Sequence, residues 1–195
     1  MAPSDDRLTE LPLRELLERL AAETPAPGGG SAAAVTCAVA AALTEMCAAF
    51  SSLPDAATHR ARAGELRRRA LELAERDLTS YPPVLQALRR PADDPERPAA
   101  VRDALSLASE VPMETARVSA EVATLAAALT KGAGIHLVGD ATTATVLAES
   151  ASAAAAVLLE LNLRGFEDDR PGQAASCVHD AGVAREQALS KAHES

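Results

Sequence analysis

Residues 32–50 form a stretch of nineteen positions without a glycine or proline, rich in alanine, with Glu45 as the one charged side chain. It is too long for a strand and has no internal breaker, so it reads as a single helix. Small apolar groups around its whole circumference imply burial on most sides, as in the central helix of a bundle. Alanine hardly favours lipid, and a carboxylate lies inside the span, so the segment is expected in a protein core and not in a membrane. The rest of the chain has the same bias, with 46 alanines among 195 residues, three aromatics and no tryptophan. That balance favours helix over strand, and the length suits one domain. The expected fold is all-α, an antiparallel single-domain bundle of about six helices. Because small side chains bury little area each, such a core needs many close helix contacts or a second subunit, and a homo-oligomer is expected.

Punctuation residues divide the chain. Residues 1–11 are polar and expected to be flexible, leaving residues 12–195 as the helical domain. Leu13, Leu16, Leu17 and Leu20 mark a first helix ending before Thr24 and Pro25. Ser31 is expected to open the second helix as its N-cap. Asp55 is expected to cap the third, whose inward stripe reads Leu66, Ala70, Leu73, Asp77 and Tyr81 before Pro82 and Pro83 interrupt it. The polar run at 91–98 is a solvated connection. A fourth helix over about 99–131 turns Leu105, Ala108, Val118, Val122, Leu125 and Leu129 inward, with a kink at Pro112 and an end at Gly132 and Gly134. A fifth over 140–164 is expected to start on Asp140 and stop at Gly165, and a sixth covers about 176–193.

Several function classes are excluded. A net charge of −9 with three aromatics gives neither attraction for a phosphate backbone nor a stacking platform, so no nucleic-acid partner is expected. Three cysteines, with no signal-like segment at the start, read as reduced thiols in the cytoplasm. The four histidines lack ligand spacing and no cysteine pair resembles a zinc motif, so no metal is expected. No lysine follows the glycines at 28–30, which removes a P-loop, and nothing orders Ser, His and Asp into a triad.

What remains is a small set of candidates. Gly28, Gly29, Gly30 and Ser31 stand at a helix N-terminus, where the backbone can approach a ligand and free N–H groups favour an anionic or carbonyl group; the plain alternative is a turn with a serine cap. Asp77 falls on an apolar stripe, where an acid must pair, cap something or serve proton transfer. Asp140 stands at an expected helix start, as a cap or as an acid facing a cleft. The arginines at 60, 62, 67, 68 and 69 read as the wet face of the third helix, able also to attract an anionic tail.

Over residues 13–169 the chain resembles the cyclodeaminase/cyclohydrolase family of folate-processing proteins. The resemblance rests on Thr-Pro-Ala-Pro-Gly-Gly-Gly-Ser-Ala-Ala at 24–33, the segment from Asp77 to Tyr81, Ala-Ser-Glu-Val-Pro at 108–112, Lys131-Gly132, Gly139-Asp140, and Leu161-Asn162-Leu163 with Asp168 beyond. It implies a homodimeric or larger helical enzyme that binds a tetrahydrofolate derivative and reacts it at N5 and N10, with no cofactor beyond the folate. The reaction would be formiminotetrahydrofolate cyclodeamination or methenyltetrahydrofolate hydrolysis. Asp140 and Asp77 are the implied catalytic acids; Gly28, Gly29, Gly30, Ser31 and Asn162 are the implied substrate contacts. Two departures, Leu158 where the family tends to carry asparagine and the stretch 133–139, support an alternative: a non-catalytic folate-binding or partner module of the same fold.

Overall fold

The computed structural model describes residues 7–131 and 135–194, the side chains of 135 and 136 excepted. All regular structure among them is helical: a 3-10 turn Leu8–Glu10, then α1 (Leu13–Leu20), α2 (Gly29–Phe50), α3 (Ala56–Ser80), α4 (Pro82–Leu88), α5 (Arg97–Ala108), α6 (Glu110–Leu129), α7 (Ile135–Leu163) and α8 (Arg170–Glu194). The six expected helices are all present. The fourth is divided at Ser109 into α5 and α6, and the prolines after Tyr81 begin the short α4, since proline is tolerated at a helix start where its missing N–H has no intrahelical acceptor.

α2 is the central rod, packed against α3, α6 and α7, while α7 also packs on α6 and α8. The contacts are antiparallel for α2 with both α3 and α7: Ser31 meets Asp77 and Glu45 meets Arg67, while Gly29 lies against Leu158. Alanine makes the spacing possible. Ala34, Ala40 and Ala41 of α2, Ala63, Ala70 and Ala74 of α3, and Ala141, Ala144 and Ala148 of α7 have no accessible surface. With a methyl group at each contact the helix axes approach closely and backbone dispersion contacts replace large side chains. Glu45, the charge within the apolar run, leans over Gly64 to hydrogen-bond Arg67 at 2.9 Å.

Three features differ from the sequence expectation. Ser31 is the third residue of α2, whose N-cap is Gly28, so its side chain is free for a tertiary bond. Asp140 lies inside α7 because that helix already starts at Ile135, and it caps nothing. Leu8, in the stretch expected to be flexible, is 2% exposed in the core, and Thr9 donates to Glu75 from both N–H and Oγ at 2.8 and 2.7 Å. The expected helix end at Gly132 and Gly134 falls outside the described residues. Gly165, at φ +84°, follows the end of α7 as expected, in a conformation L side chains rarely adopt.

α3 is braced to α6 by exposed ion pairs. Arg62 grips Glu121 with Nε and Nη2 at 2.6 and 2.8 Å, Arg69 pairs Glu114, and Arg76 reaches Glu114 at 3.2 Å and Glu110 at 3.8 Å. At the start of α8, Arg170 clasps Asp168 and donates to the backbone and hydroxyl oxygens of Ser106, both at 2.8 Å, tying α8 to α5.

Candidate functional site

The N-terminus of α2, the C-terminal end of α3 and the C-terminal end of α7 meet at one end of the bundle, where α5 and the start of α6 close the side. Between them lies a cleft of about 450 Å³, within the range of small-molecule sites. A larger groove, about 640 Å³, runs along the α3–α6 ion pairs. Arg62, Arg69, Arg76 and Arg170 there are already engaged by carboxylates, so it is a brace and not a receptor.

One wall of the cleft is apolar, built from Leu105, Ala108, Pro112, Leu158 and Leu161; the facing edge is polar, with Gly28, Gly29, Gly30, Asp77, Ser80, Tyr81 and Asn162. Asp77 organises this edge. Its Oδ2 accepts the Ser31 N–H at 2.7 Å and the Ser31 hydroxyl at 2.8 Å, so the carboxylate caps α2 from another helix. Negative charge at a helix N-terminus is favoured by the dipole, and the bond satisfies an N–H that the helix itself leaves unpaired. The fit requires Gly30: a Cβ there would stand 2.1 Å from Asp77 Oδ1 and 2.8 Å from Oδ2. At Gly29 a Cβ would meet only the two methyl carbons of Leu158, at 3.6 Å. The glycine run therefore has distinct jobs, with Gly30 yielding space to a carboxylate and Gly29 leaving the mouth of the cleft open.

The remaining polar groups have spare capacity. Among the described residues the Asn162 side chain makes no hydrogen bond and the Tyr81 hydroxyl has no partner, while Ser80 spends its proton on the Asp77 carbonyl at 2.9 Å. The N–H groups of Gly29 and Gly30, first in α2, have no intrahelical acceptor. Such a slot offers apolar contact from the leucines and proline on one side and hydrogen-bonding groups from the amide, the carboxylate and the N–H groups on the other. No three His, Cys, Asp or Glu side chains among the described residues gather in a way that could hold a metal ion.

The structure thus brings together Gly28, Gly29, Gly30, Ser31, Asp77 and Asn162. It does not bring Asp140 to them within one chain. Asp140 precedes Asn162 by 22 positions on a continuous helix, which separates them by about 33 Å at 1.5 Å per residue. It lies instead near Cys47, whose thiol is pushed up to about 11 by burial and, secondarily, by the Asp140 charge. Tyr81 and Ser80 were not among the sequence candidates. The signal was the Pro82-Pro83 pair, which ends α3 at Tyr81 and leaves that side chain 39% exposed at the cleft edge.

The chain is 28% identical over 168 residues to a methenyltetrahydrofolate cyclohydrolase from Methylorubrum extorquens, an alignment covering 80% of this chain and 81% of that protein. Its fold matches that of formiminotetrahydrofolate cyclodeaminase from Thermotoga maritima with a TM-score of 0.80, over 96% of each chain at 23% identity. The sequence profile of formiminotransferase-cyclodeaminase matches residues 12–180, which includes every element that builds the cleft. With most of its length inside that match, the chain belongs to the formiminotransferase-cyclodeaminase family.

Proposed function

We propose that this protein is a cytoplasmic folate one-carbon enzyme that binds a tetrahydrofolate derivative in the cleft beside Gly28–Gly30 and reacts it at N5 and N10. In cyclodeamination, N10 attacks the formimino carbon on N5, the tetrahedral carbon loses its amino group as ammonia, and a methenyl bridge remains. In hydrolysis, water adds to the methenyl carbon and the N5–C bond breaks, leaving a formyl group on N10. Both routes move protons on and off nitrogen beside a cation, work suited to carboxylates. Asp77 and Asp140 are the proposed acids, Asn162 and the N–H groups of the glycine run the proposed substrate contacts, and the protein is proposed to act as a homo-oligomer. The observation that carries this reading is a slot with a polar edge and an apolar wall, assembled from the motif residues of a folate-processing family.

A second reading, a folate-binding module without turnover, is favoured by one observation. Within a single chain the cleft holds one carboxylate, Asp77, and Leu158 presents methyl groups where a polar contact could stand. Turnover separates the two. Purified protein is mixed with methenyltetrahydrofolate and its absorbance followed, and in parallel with the formimino compound, assaying ammonia. Consumption of either supports the enzyme; binding of both without turnover leaves the module.

A further inference from the structure

One wall of the cleft is carried by a helix with little packing of its own. α5 supplies Leu105 and Ala108 to the apolar side. Of its twelve residues only Ala108 is buried, Leu107 is 58% exposed, and its main neighbour is α4, itself seven residues long. A helix that fully buries a single methyl group gains little from apolar contact to hold it in place. Nor does α6 carry it as one rod, since α5 ends at Ala108 and α6 begins at Glu110.

A polar clasp supplies the anchor. The guanidinium of Arg170 uses two edges: Nε and Nη2 grip the Asp168 carboxylate at 2.9 and 2.6 Å, while Nη1 and Nη2 donate to the Ser106 carbonyl and hydroxyl, both at 2.8 Å. The Arg170 backbone N–H donates to the same carboxylate at 2.9 Å, so the arginine is pinned before it reaches α5. Ser106 lies in the last turn of α5, where a helix leaves its carbonyls without intrahelical donors and a positive charge is favoured. Both partners are sheltered, with 22 and 20% of the Arg170 and Asp168 side chains accessible, so the pair is screened less than the exposed braces between α3 and α6. Asp168 follows Asn162 by six positions, on the connection that leaves α7. The clasp therefore closes a ring around the cleft, tying the helix that carries Leu105 and Ala108 to the end of the helix that carries Leu158, Leu161 and Asn162.

We infer that Arg170 is a positioning residue for the substrate, which sets the width of the cleft by fixing Leu105 and Ala108 opposite Asp77 and Asn162. This rests on the reading of the cleft as a folate site. Arg170 itself does not line the cleft, and Asp77 is held from α2 by Ser31, independently of α5. Slackening the clasp therefore moves the apolar wall and leaves the carboxylate edge in place. Arg170 governs how tightly a folate is held and not how fast the bound folate reacts. A lysine cannot replace it, because an ammonium can reach Asp168 or the Ser106 oxygens but lacks the planar fork that spans both.

Steady-state rates and equilibrium dialysis test the role. Arg170→Met should raise KM for the reacting folate, and the Kd of tetrahydrofolate, which has no one-carbon unit to lose, by about tenfold, the scale of one lost methylene contact. The kcat should stay within about twofold. Arg170→Lys should recover part of the affinity, and Ser106→Ala should show the same pattern at smaller size. Arg62→Met is the control: it too removes a two-pronged grip, on Glu121, but lies 15 positions before Asp77 on α3, about 22 Å away, and should lower Tm without moving KM or Kd. A protein that merely loses folded fraction turns over more slowly per mole of chain at unchanged KM. An Arg170→Met effect confined to Tm and apparent kcat therefore overturns the positioning role; if that variant does not fold, the same criterion is applied to Arg170→Lys and Ser106→Ala. Hydrogen exchange reads the clasp without any folate: amides of residues 97–108 should exchange faster in the Arg170 variants than in the unsubstituted chain or Arg62→Met, and equal rates overturn the inference. If the unsubstituted chain binds no folate, the reading of the cleft fails, and exchange still decides whether Arg170 holds α5.

Discussion

Replacing Gly30 by alanine is a sharp test of how the cleft is built. The added Cβ would stand 2.1 Å from Asp77 Oδ1 and 2.6 Å from its Cγ, distances that force one partner to move. Alanine is fixed on the helix, so the Asp77 side chain must swing away and its bonds from the Ser31 N–H and hydroxyl, 2.7 and 2.8 Å, are lost or stretched. Hydrogen bonds to a charged acceptor contribute about 1.5–3 kcal/mol each, and a buried N–H left without a partner adds to the loss. Against this, exchanging glycine for alanine in a helix gains up to about 1 kcal/mol. The net is a destabilisation of at least about 2 kcal/mol, or about 4 °C or more in Tm for a chain of this size. Gly29→Ala is the control, since its Cβ makes only ordinary 3.6 Å contacts with Leu158, and it should melt at or slightly above the unsubstituted protein. In an Asp77→Ala background the clash is gone, so Gly30→Ala should then cost nothing, giving a coupling of at least about 2 kcal/mol between the positions. Circular dichroism melts of these variants suffice. A Gly30→Ala protein that melts as high as Gly29→Ala would refute the account of Asp77 as the tertiary cap of α2.

Other outcomes follow from the same geometry. Gly29→Val should fill the cleft mouth and abolish folate binding by equilibrium dialysis while leaving Tm within a few degrees. Asp77→Asn should keep the fold and reduce turnover by about a hundredfold or more if the carboxylate transfers protons, whereas a purely capping role predicts an early melt with the specific rate retained. Arg170 holds the Asp168 carboxyl at about 2, mainly by side-chain hydrogen bonding; a carboxyl lowered on folding contributes stability that is complete above its unfolded value, near 4, and is lost as pH falls through about 2. The urea midpoint should accordingly fall between pH 5 and pH 2.5, and Asp168→Asn should flatten that part of the decline.

The helices were legible where the sequence repeats a local rule. Leu66, Ala70 and Leu73 are spaced for one face and all three are buried, and the run at 32–50 became most of α2. Ser31 was legible as belonging to a helix start but not as the partner of Asp77, because the two lie 46 positions apart and local spacing carries no information on which helix ends will meet. For Asp140 the local reading of a cap is overturned by α7 starting five residues earlier, at Ile135, with His136 and Leu137 giving no stop or start signal. Tyr81 was marked as inward on α3, yet its place at the cleft edge depends on where α4 and α5 fold back. Membership of the cleft is a tertiary property; what the residues revealed alone was which side chains had no local reason to be where they are.

A core made of alanine packs closely but distinguishes poorly between one alignment of two helices and another, since sliding α3 along α6 by two turns sets one methyl group against an equivalent one. The ion pairs on the outer edge remove that ambiguity. Arg62, Arg69 and Arg76 recur every seven residues, and Glu121 and Glu114 oppose them at the same interval in reverse. Each exposed pair adds at most about 1 kcal/mol to the native state. A slide by one repeat leaves a guanidinium or a carboxylate at the end of the row without a counterpart, and a half-repeat slide unpairs them all. During folding the row acts as a ruler, so high salt should slow the final docking of α3 on α6 more than it lowers the stability of the finished bundle.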